Sequence, residues 1–388
     1  MTAQNLTLPT SPAQLADADR YRSFGAALDA LKERVEAQLG QADVRWVKML
    51  DLFSRAMEIV GRVLIHISFD PLLFSIGVFA LWIHKQLQAT EIGHTALHGA
   101  YDKLEGAERF RSKDFRWDTP IDEESWRYGH NARHHGATNV AGKDADIHFG
   151  PVRLTKETKW TWKQRFQLPF ALFVLFPNFG FLMNLHFTGM NDLFEDNGIE
   201  TQLDFLPDRS AKSRRQAWVA ALRKYVPHYV KEYVFFPLLA GPFFWKVMLG
   251  NFLAGLLRDV YSAATIFCGH VGEELKSYAM GTKPLNRGHW YAMQVESTHN
   301  YEVSLPVSVL CGGLDRQIEH HLFPRLPPNR LREIAPEVRA ICEAHGIAYH
   351  TDTWGRTLLG SFRYIQKLSR ETEGGALAVT RATIRQMA

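Results

Sequence analysis

Cysteine is scarce: Cys268, Cys311 and Cys342 are the only three in 388 residues, far apart and in no C-x-x-C arrangement. That excludes a disulfide framework, gives no thiolate metal site, and points to a reducing compartment. An excess of charge of one sign is also missing. Lys and Arg number 45 against 41 Asp and Glu, a net +4 with no basic arm, so nucleic-acid binding has no support. A mildly basic surface facing lipid fits better. The first twenty residues hold no basic n-region and no apolar run, so no signal peptide is read there and a cytosolic start is expected. Neither a linker nor an internal repeat divides the chain. The reading is a single catalytic unit over 47–370, preceded by a segment with an amphipathic helix, 1–46, and followed by a tail, 371–388.

Long clean apolar runs are few. Mean hydropathy is −0.20, too polar for a transporter made mostly of lipid-buried helices. Yet 25 Phe and 10 Trp gather in apolar stretches, which implies a few membrane helices under a large polar cap. Leu28, Leu31, Val35 and Leu39 recur at helical steps, and a helix packed on the cap or bilayer surface is expected there. The run from Val47 to Phe69 and the run from Pro71 to Leu87 meet at Asp70-Pro71 and read as a hairpin through the bilayer, although Asp51, Arg55 and Arg62 interrupt the first limb. Residues 170–187 are apolar but broken by Pro177, Asn178 and Gly180, which reads as an interfacial or re-entrant segment. Residues 233–270, with a turn at Gly241-Pro242, read as a second hairpin. The polar stretch from Asn197 to Lys224 and everything after His270 are assigned to the cap.

Histidine is plentiful, 17 in all, and its spacing carries the chemistry. His94 and His98 are one helical turn apart, on one face. In GHNARHHG, a helix would put His130 and His134 on one face and His135 about 100° round from His134, so that three imidazoles address two neighbouring ions. Gln317 stands three and four residues before His320 and His321 on a short helix that Pro324 must end, where it can offer an amide oxygen or hold a water. Imidazole suits Zn, Cu, Fe and Ni alike. Number decides more: seven clustered imidazoles exceed the four ligands of a closed zinc site, and no H-E-x-x-H occurs. Two metals are implied. The linker between His98 and His130 is too polar to cross a membrane, so the first two clusters share a side. From His135 to His320 the chain must then cross an even number of times, as it does if 233–270 is a hairpin and 170–187 does not cross.

From about Trp82 to Arg330 these residues resemble the membrane fatty-acid desaturases, in pattern the front-end and linoleoyl-type acyl desaturases, without a fused cytochrome domain. H-x-x-x-H at His94/His98 resembles the first histidine box, and W-R-Y-G-H-N-A-R-H-H-G-A-T-N with D-A-D-I resembles the second box and its flank. Q-I-E-H-H-L-F-P at Gln317 to Pro324 resembles the third almost letter for letter. GHVGEE at Gly269 to Glu274 resembles the stretch with an extra iron-ligating histidine, which makes His270 the eighth imidazole; QVESTHNYE resembles the run before the third box. Asn139, Asp144 and Asp146 fall in the second-box flank, with a role in holding the ligating rings or as solvated loop residues. Two features depart from the pattern. Three residues separate His130 from His134 where relatives often have two, and His299 stands where no histidine is expected, so it stays outside the metal set.

The resemblance implies two iron ions, dioxygen as co-substrate, and removal of two hydrogens from adjacent methylenes of an acyl chain, linked to CoA, a carrier protein or a phospholipid, to leave a cis double bond. The fold it implies is all-α and integral to the membrane: two transmembrane hairpins and interfacial helices under a cytosolic cap that holds the di-iron site, with both termini cytosolic. Trp126, Trp290, Phe244 and Trp245 are candidates to line an acyl tunnel or to pack in core and interface. No iron–sulfur ligands, nucleotide fingerprint or haem domain is present, so electrons must come from an external donor, a ferredoxin or a separate cytochrome. Arg316, Arg325, Arg330 and Arg332 form a basic neighbourhood that could steer an acidic partner or face solvent and phospholipid. A hydroxylase or ketolase on the same scaffold is the near alternative; a histidine-rich metal transporter or sensor is the distant one, disfavoured because the clusters fall at helix ends in polar surroundings.

Overall fold

The computed structural model describes residues 12–149, 152–158, 160–193 and 203–370; the expected tail, 371–388, and the first eleven residues lie outside them. Helix α1 (Pro12–Glu36) is the expected amphipathic helix, begun earlier than its periodicity shows. Phe24, Leu28, Leu31 and Val35 are buried against Tyr291, Val295, Ile318 and Val338. The approach is close enough that a Cβ on Gly288 would fall 1.6 Å from the Tyr21 carbonyl oxygen. This segment packs on Arg287–Glu296 and Pro328–Ala344.

Helices α2 (Gln41–Ile67) and α3 (Pro71–Leu87) form the first hairpin. Asp70 caps α3, its Oδ1 accepting from the Leu72 and Leu73 amides at 2.9 and 3.0 Å. Gly61 and Gly77 let the two backbones meet, since a Cβ on Gly61 would lie 2.6 Å from the Leu81 amide nitrogen. The charges that interrupt the first limb turn inward. Arg62 pairs with Glu232 at 2.9 Å and Glu58 at 3.0 Å, Lys85 reaches Glu232 at 2.8 Å, and Asp51 meets Arg109 at 3.0 Å. The outward side is left apolar: Leu52, Ile59, Phe69 and Leu72 are exposed, Phe69 to 76%.

The second hairpin is longer than expected. A helix over Ala211–Val230 continues through a wide π-turn, Lys231–Phe235, and Phe236–Leu238 to a left-handed Gly241, and Phe244–His270 returns. Residues 211–224 therefore belong to its first limb and not to a cap linker. Their polarity conceals this: Ala217 and Ala221 face inward while Arg223 and Lys224 are tied to Asp122 at 2.6 Å and Glu123 at 2.7 Å. Trp162–Phe187 forms one helical stretch, its Pro177 and Gly180 absorbed by a π-turn at Ala171–Leu175 and a 3₁₀ turn at Phe176–Asn178. It and Gly241–His270 are the two stretches long and apolar enough to cross a membrane among the described residues. α3 and the Phe244–His270 helix join the two hairpins.

The cap is helical, built from α1, Arg287–Glu296, Gln317–Leu322, Pro328–Ala344 and Trp354–Leu368. A short parallel strand pair, Asn300–Glu302 with Thr351–Thr353, pins its C-terminal part, and a two-residue antiparallel pair joins His148–Phe149 to Val152–Arg153.

Candidate metal centre

Two of the histidine-bearing segments leave α-geometry where they meet the site. α3 passes into a π-turn over Gln88–His94, and Arg127–His134 is π-helical as well. A π-turn bonds each amide to the fifth residue back, which releases carbonyls that need other donors. In the first turn the Trp117 indole N–H donates to the Gln88 and Ala89 carbonyls, 3.1 Å from each. Gly93 makes room for it: a Cβ there would fall 2.2 Å from the indole nitrogen.

The wide turn also revises the expected faces of the second cluster. The His135 amide bonds the His130 carbonyl five residues back at 3.1 Å, and it is His130 and His135 whose Nε2 atoms meet, at 3.2 Å. His134 turns to the other side, where its ring meets those of His270 and His321 at centroid separations of 4.7 and 5.0 Å. The additional residue between His130 and His134 is thus taken up by a wide turn.

All eight histidines converge. His94, His98, His130 and His320 present nitrogens within 4.8 Å of one another, and His134, His270 and His321 form a second such group. His94 and His98 approach Nε2 to Nε2 at 3.2 Å, and His270 and His321 at 3.3 Å. His135 lies between the groups, stacked on His321 at 4.2 Å. Gln317 reaches the second group, its Nε2 2.7 Å from His270 Nε2.

Carboxylates behind the rings set their tautomers. His130 Nδ1 lies 2.9 Å from Asp146 Oδ2, and His134 Nδ1 2.9 Å from Asp144 Oδ1. With Nδ1–H donated backward, each Nε2 lone pair points to the centre. Asn139 does not touch a ring. It sits at a left-handed φ of 56°, gives its backbone N–H to Asp144 at 2.7 Å, and ties its side chain to the Lys276 and Ser297 carbonyls, so it positions Asp144. Gln294 and Thr138 were not singled out from the sequence, yet both face His321 Nδ1, at 3.0 and 3.2 Å. Gln294 opens the QVESTHNYE run, the one signal that could have found it. His299 stands apart beside Glu274 at 3.5 Å.

Burial holds His130, His135, His320 and His321 well below the ordinary imidazole range, with neighbouring histidines adding to the effect. His134 is different: burial pulls it down, but Asp144 and Asp146 together lift it to about 9. The other rings are neutral donors suited to a cation, and at His134 a metal ion would take the place of the Nε2 proton. Four buried ring nitrogens of the centre, His134 Nε2, His135 Nδ1, His270 Nδ1 and His320 Nε2, have no hydrogen-bond partner, so the donor set fits a metal.

A cavity of about 1090 Å³, the open solvent at its mouth included, runs from His94, His130, His134 and His270 along the Phe244–His270 helix. Its middle is apolar, walled by Trp117, Trp126, Phe179, Met183 and Phe267. Of the four aromatic candidates only Trp126 lines it; Trp245 is 70% exposed. The expected basic neighbourhood is mostly spent internally: Arg316 pairs with Glu302 at 2.9 Å, Arg330 with Asp43 at 2.8 Å, and Arg332 with buried Glu91 at 2.7 Å, leaving Arg325 exposed.

Similarity to known proteins agrees with this site. The chain is 31% identical over 365 residues to an NADPH-dependent stearoyl-CoA 9-desaturase of Mycobacterium tuberculosis, covering 92% of this chain and 82% of that protein. It is 24% identical to an sn-1 linoleoyl-lipid 6-desaturase of Synechocystis, covering 78% and 84%. A Delta(5) fatty acid desaturase A of Dictyostelium discoideum matches at 23%, covering 88% and 75%. The model of the fatty acid desaturase family matches residues 70–353, a stretch that includes every histidine of the centre, and this chain belongs to that family.

Proposed function

We propose that the chain is a fatty acyl desaturase that introduces a cis double bond into a lipid-linked acyl chain at a histidine-bound di-iron centre. One observation carries the reading: eight imidazoles converge, and four of them, His94, His130, His134 and His270, line one end of a largely apolar cavity. His94, His98, His130, His135 and His320 would hold one iron, and His134, His270 and His321 the other, with Gln317 beside the second. When bound, the irons supply the dioxygen chemistry that an unactivated C–H bond requires. Overall, two hydrogens leave adjacent methylenes, and with dioxygen, two electrons and two protons they emerge as two waters.

The chain's own residues do the rest. Trp117, Trp126, Phe179 and Met183 hold the methylenes in an apolar slot and keep bulk water from the reacting carbons. Asp144 and Asp146 fix the rings of His134 and His130, and Gln294 with Thr138 orients His321. The two electrons come from an external donor, a ferredoxin or a cytochrome; the NADPH in the mycobacterial relative's name agrees with a reductase behind it. Acyl-CoA and acyl-lipid substrates are both represented in the relatives' names.

We place α2, α3, Ala211–Leu238 and Phe244–His270 across the bilayer, with the histidines and both termini on the cytosolic side. The outward apolar and inward paired charges of α2 and α3 support this. So does parity: His135 and His320 meet at one site, so the segment between them crosses an even number of times, and Trp162–Phe187 then lies along the cap side of the membrane.

The test is expression in a host of known lipid profile, followed by mass-spectrometric localisation of new double bonds. The desaturase reading expects products lighter by two hydrogens, absent from His320→Ala and His321→Ala cells. Products with an added oxygen and no lost hydrogens would replace it with a hydroxylase.

A further inference from the structure

The cavity has a second polar end. Thr119, Arg258 and Asp259 line it at the limit remote from the histidines, while the walls between are apolar. Arg258 precedes His270 by a little over three turns of one helix, about 18 Å at 1.5 Å per residue. Thr119 comes from the loop before the second histidine segment, and Gly180 brings the two together. A Cβ on Gly180 would lie 3.0 Å from Pro120 Cγ and 3.3 Å from Asp259 Oδ1, so the chain beside Thr119 and the chain beside Arg258 press on the same residue.

Both side chains are buried, Thr119 at 4% and Arg258 at 5% exposure, and both hold an atom with no partner: Thr119 Oγ1 and Arg258 Nη1. The charge of Arg258 is already balanced, since its Nε and Nη2 donate to Asp259 Oδ1 at 2.9 and 2.7 Å. What remains is the Nη1 amino group and one hydroxyl, on residues that line a mostly apolar chamber. A plain methyl end seated there leaves both unsatisfied, the costly state for a buried polar group. A second anion is not called for, because the guanidinium has its counter-ion.

We propose that this end of the cavity is a binding subsite for a neutral oxygen, a hydroxyl or carbonyl carried on the part of the acyl chain far from the reacting carbons, with Arg258 Nη1 donating to it and Thr119 Oγ1 sharing its proton. The inference rests on the acyl-desaturase reading and adds a substrate preference to it: chains oxygenated at the distal end over unadorned chains of equal length.

The test uses the full chain purified in detergent, with the fluorescence of Trp117 and Trp126 in the cavity wall reporting ligand entry. Methyl palmitate and methyl ω-hydroxypalmitate are titrated against the wild type, Thr119→Val and Arg258→Lys; the lysine keeps the charge facing Asp259 and removes the free arm of the fork. The expected result is binding of the hydroxylated ester tighter by about tenfold in the wild type, the worth of one satisfied buried bond, with the ratio falling toward one in both variants. If Thr119→Val does not fold, Arg258→Lys decides. Equal binding of the two esters by the wild type overturns the subsite and assigns its place to an ordered water. A preference that survives in both variants overturns it as well. Absence of saturable binding by either ester counts against the acyl-desaturase reading itself.

Discussion

Asp144→Asn is the sharpest probe of how the protein holds its rings. The carboxylate is fully buried and accepts from three N–H groups: His134 Nδ1 at 2.9 Å, the Asn139 amide at 2.7 Å and the Asp146 amide at 2.9 Å. The two amides sit on different oxygens, so an asparagine turned either way sets its own NH2 against one of them. One buried donor is stranded, about 1–3 kcal/mol, and the charge assistance to His134 is lost, about another 1–2 kcal/mol. With the NH2 at the Oδ2 position, the donor stranded is the amide of the left-handed Asn139. Losses of this kind behind a metal ligand weaken metal binding by about 10–100-fold. The assay is Fe(II) titration of metal-stripped protein in detergent, with bound iron counted by plasma mass spectrometry. Asp146→Asn serves as the comparison, because Asp146 is less buried and supports His130 alone at short range. An Asp144→Asn protein that binds iron within threefold of wild type would refute the reasoning.

Other outcomes follow from the same geometry. Trp117→Phe replaces the buried indole with a smaller phenyl and removes the N–H that serves two π-turn carbonyls, so it should cost at least about 1–3 kcal/mol and lower the midpoint of thermal unfolding; an unchanged midpoint sinks the account of the turn. Gly61→Ala forces a Cβ to 2.6 Å from the α3 backbone and should loosen the first hairpin, read as faster proteolysis of the α2–α3 turn than in wild type. Burial raises Asp192 to about 6 although the Phe205 and Leu206 amides donate to it, while an unfolded aspartate stays near 3.8. The folded state therefore carries a penalty that is absent below about pH 4, grows between the two values, and reaches at most about 3 kcal/mol above them. Asp192→Asn should then stabilise the protein at pH 8 and not at pH 4; an equal shift at both would contradict the assignment.

Much of the centre was legible because imidazole has few bland reasons to recur at such spacing. His94/His98, His130/His134/His135 and His320/His321 announced themselves, and the family pattern added His270. What the spacing could not convey was the local helix type. An α-helix of GHNARHH pairs His130 with His134, and the π-turn pairs it with His135 instead, because backbone bonding shifts by one residue without any change in composition. The first limb of the second hairpin was missed for a related reason. Arg223 and Lys224 fall in the polar stretch assigned to the cap, and only the partners Asp122 and Glu123, a hundred residues away, show why they belong on this helix. Arg316, Arg330 and Arg332 misled in the same direction: their carboxylates lie on other elements.

The wide turns at Gln88–His94 and Arg127–His134 make the backbone bonding register the fragile variable of this site. A substitution on their outer faces leaves every imidazole where it was. Tightening either turn to ordinary α-bonding without losing a residue, which is locally the more comfortable state, swings every side chain beyond it by about 100°. The chain would still make helix, still bury its apolar faces and still pass for folded. Its histidines would simply no longer address the same point, whereas losing the extra residue together with the wide turn leaves them in phase.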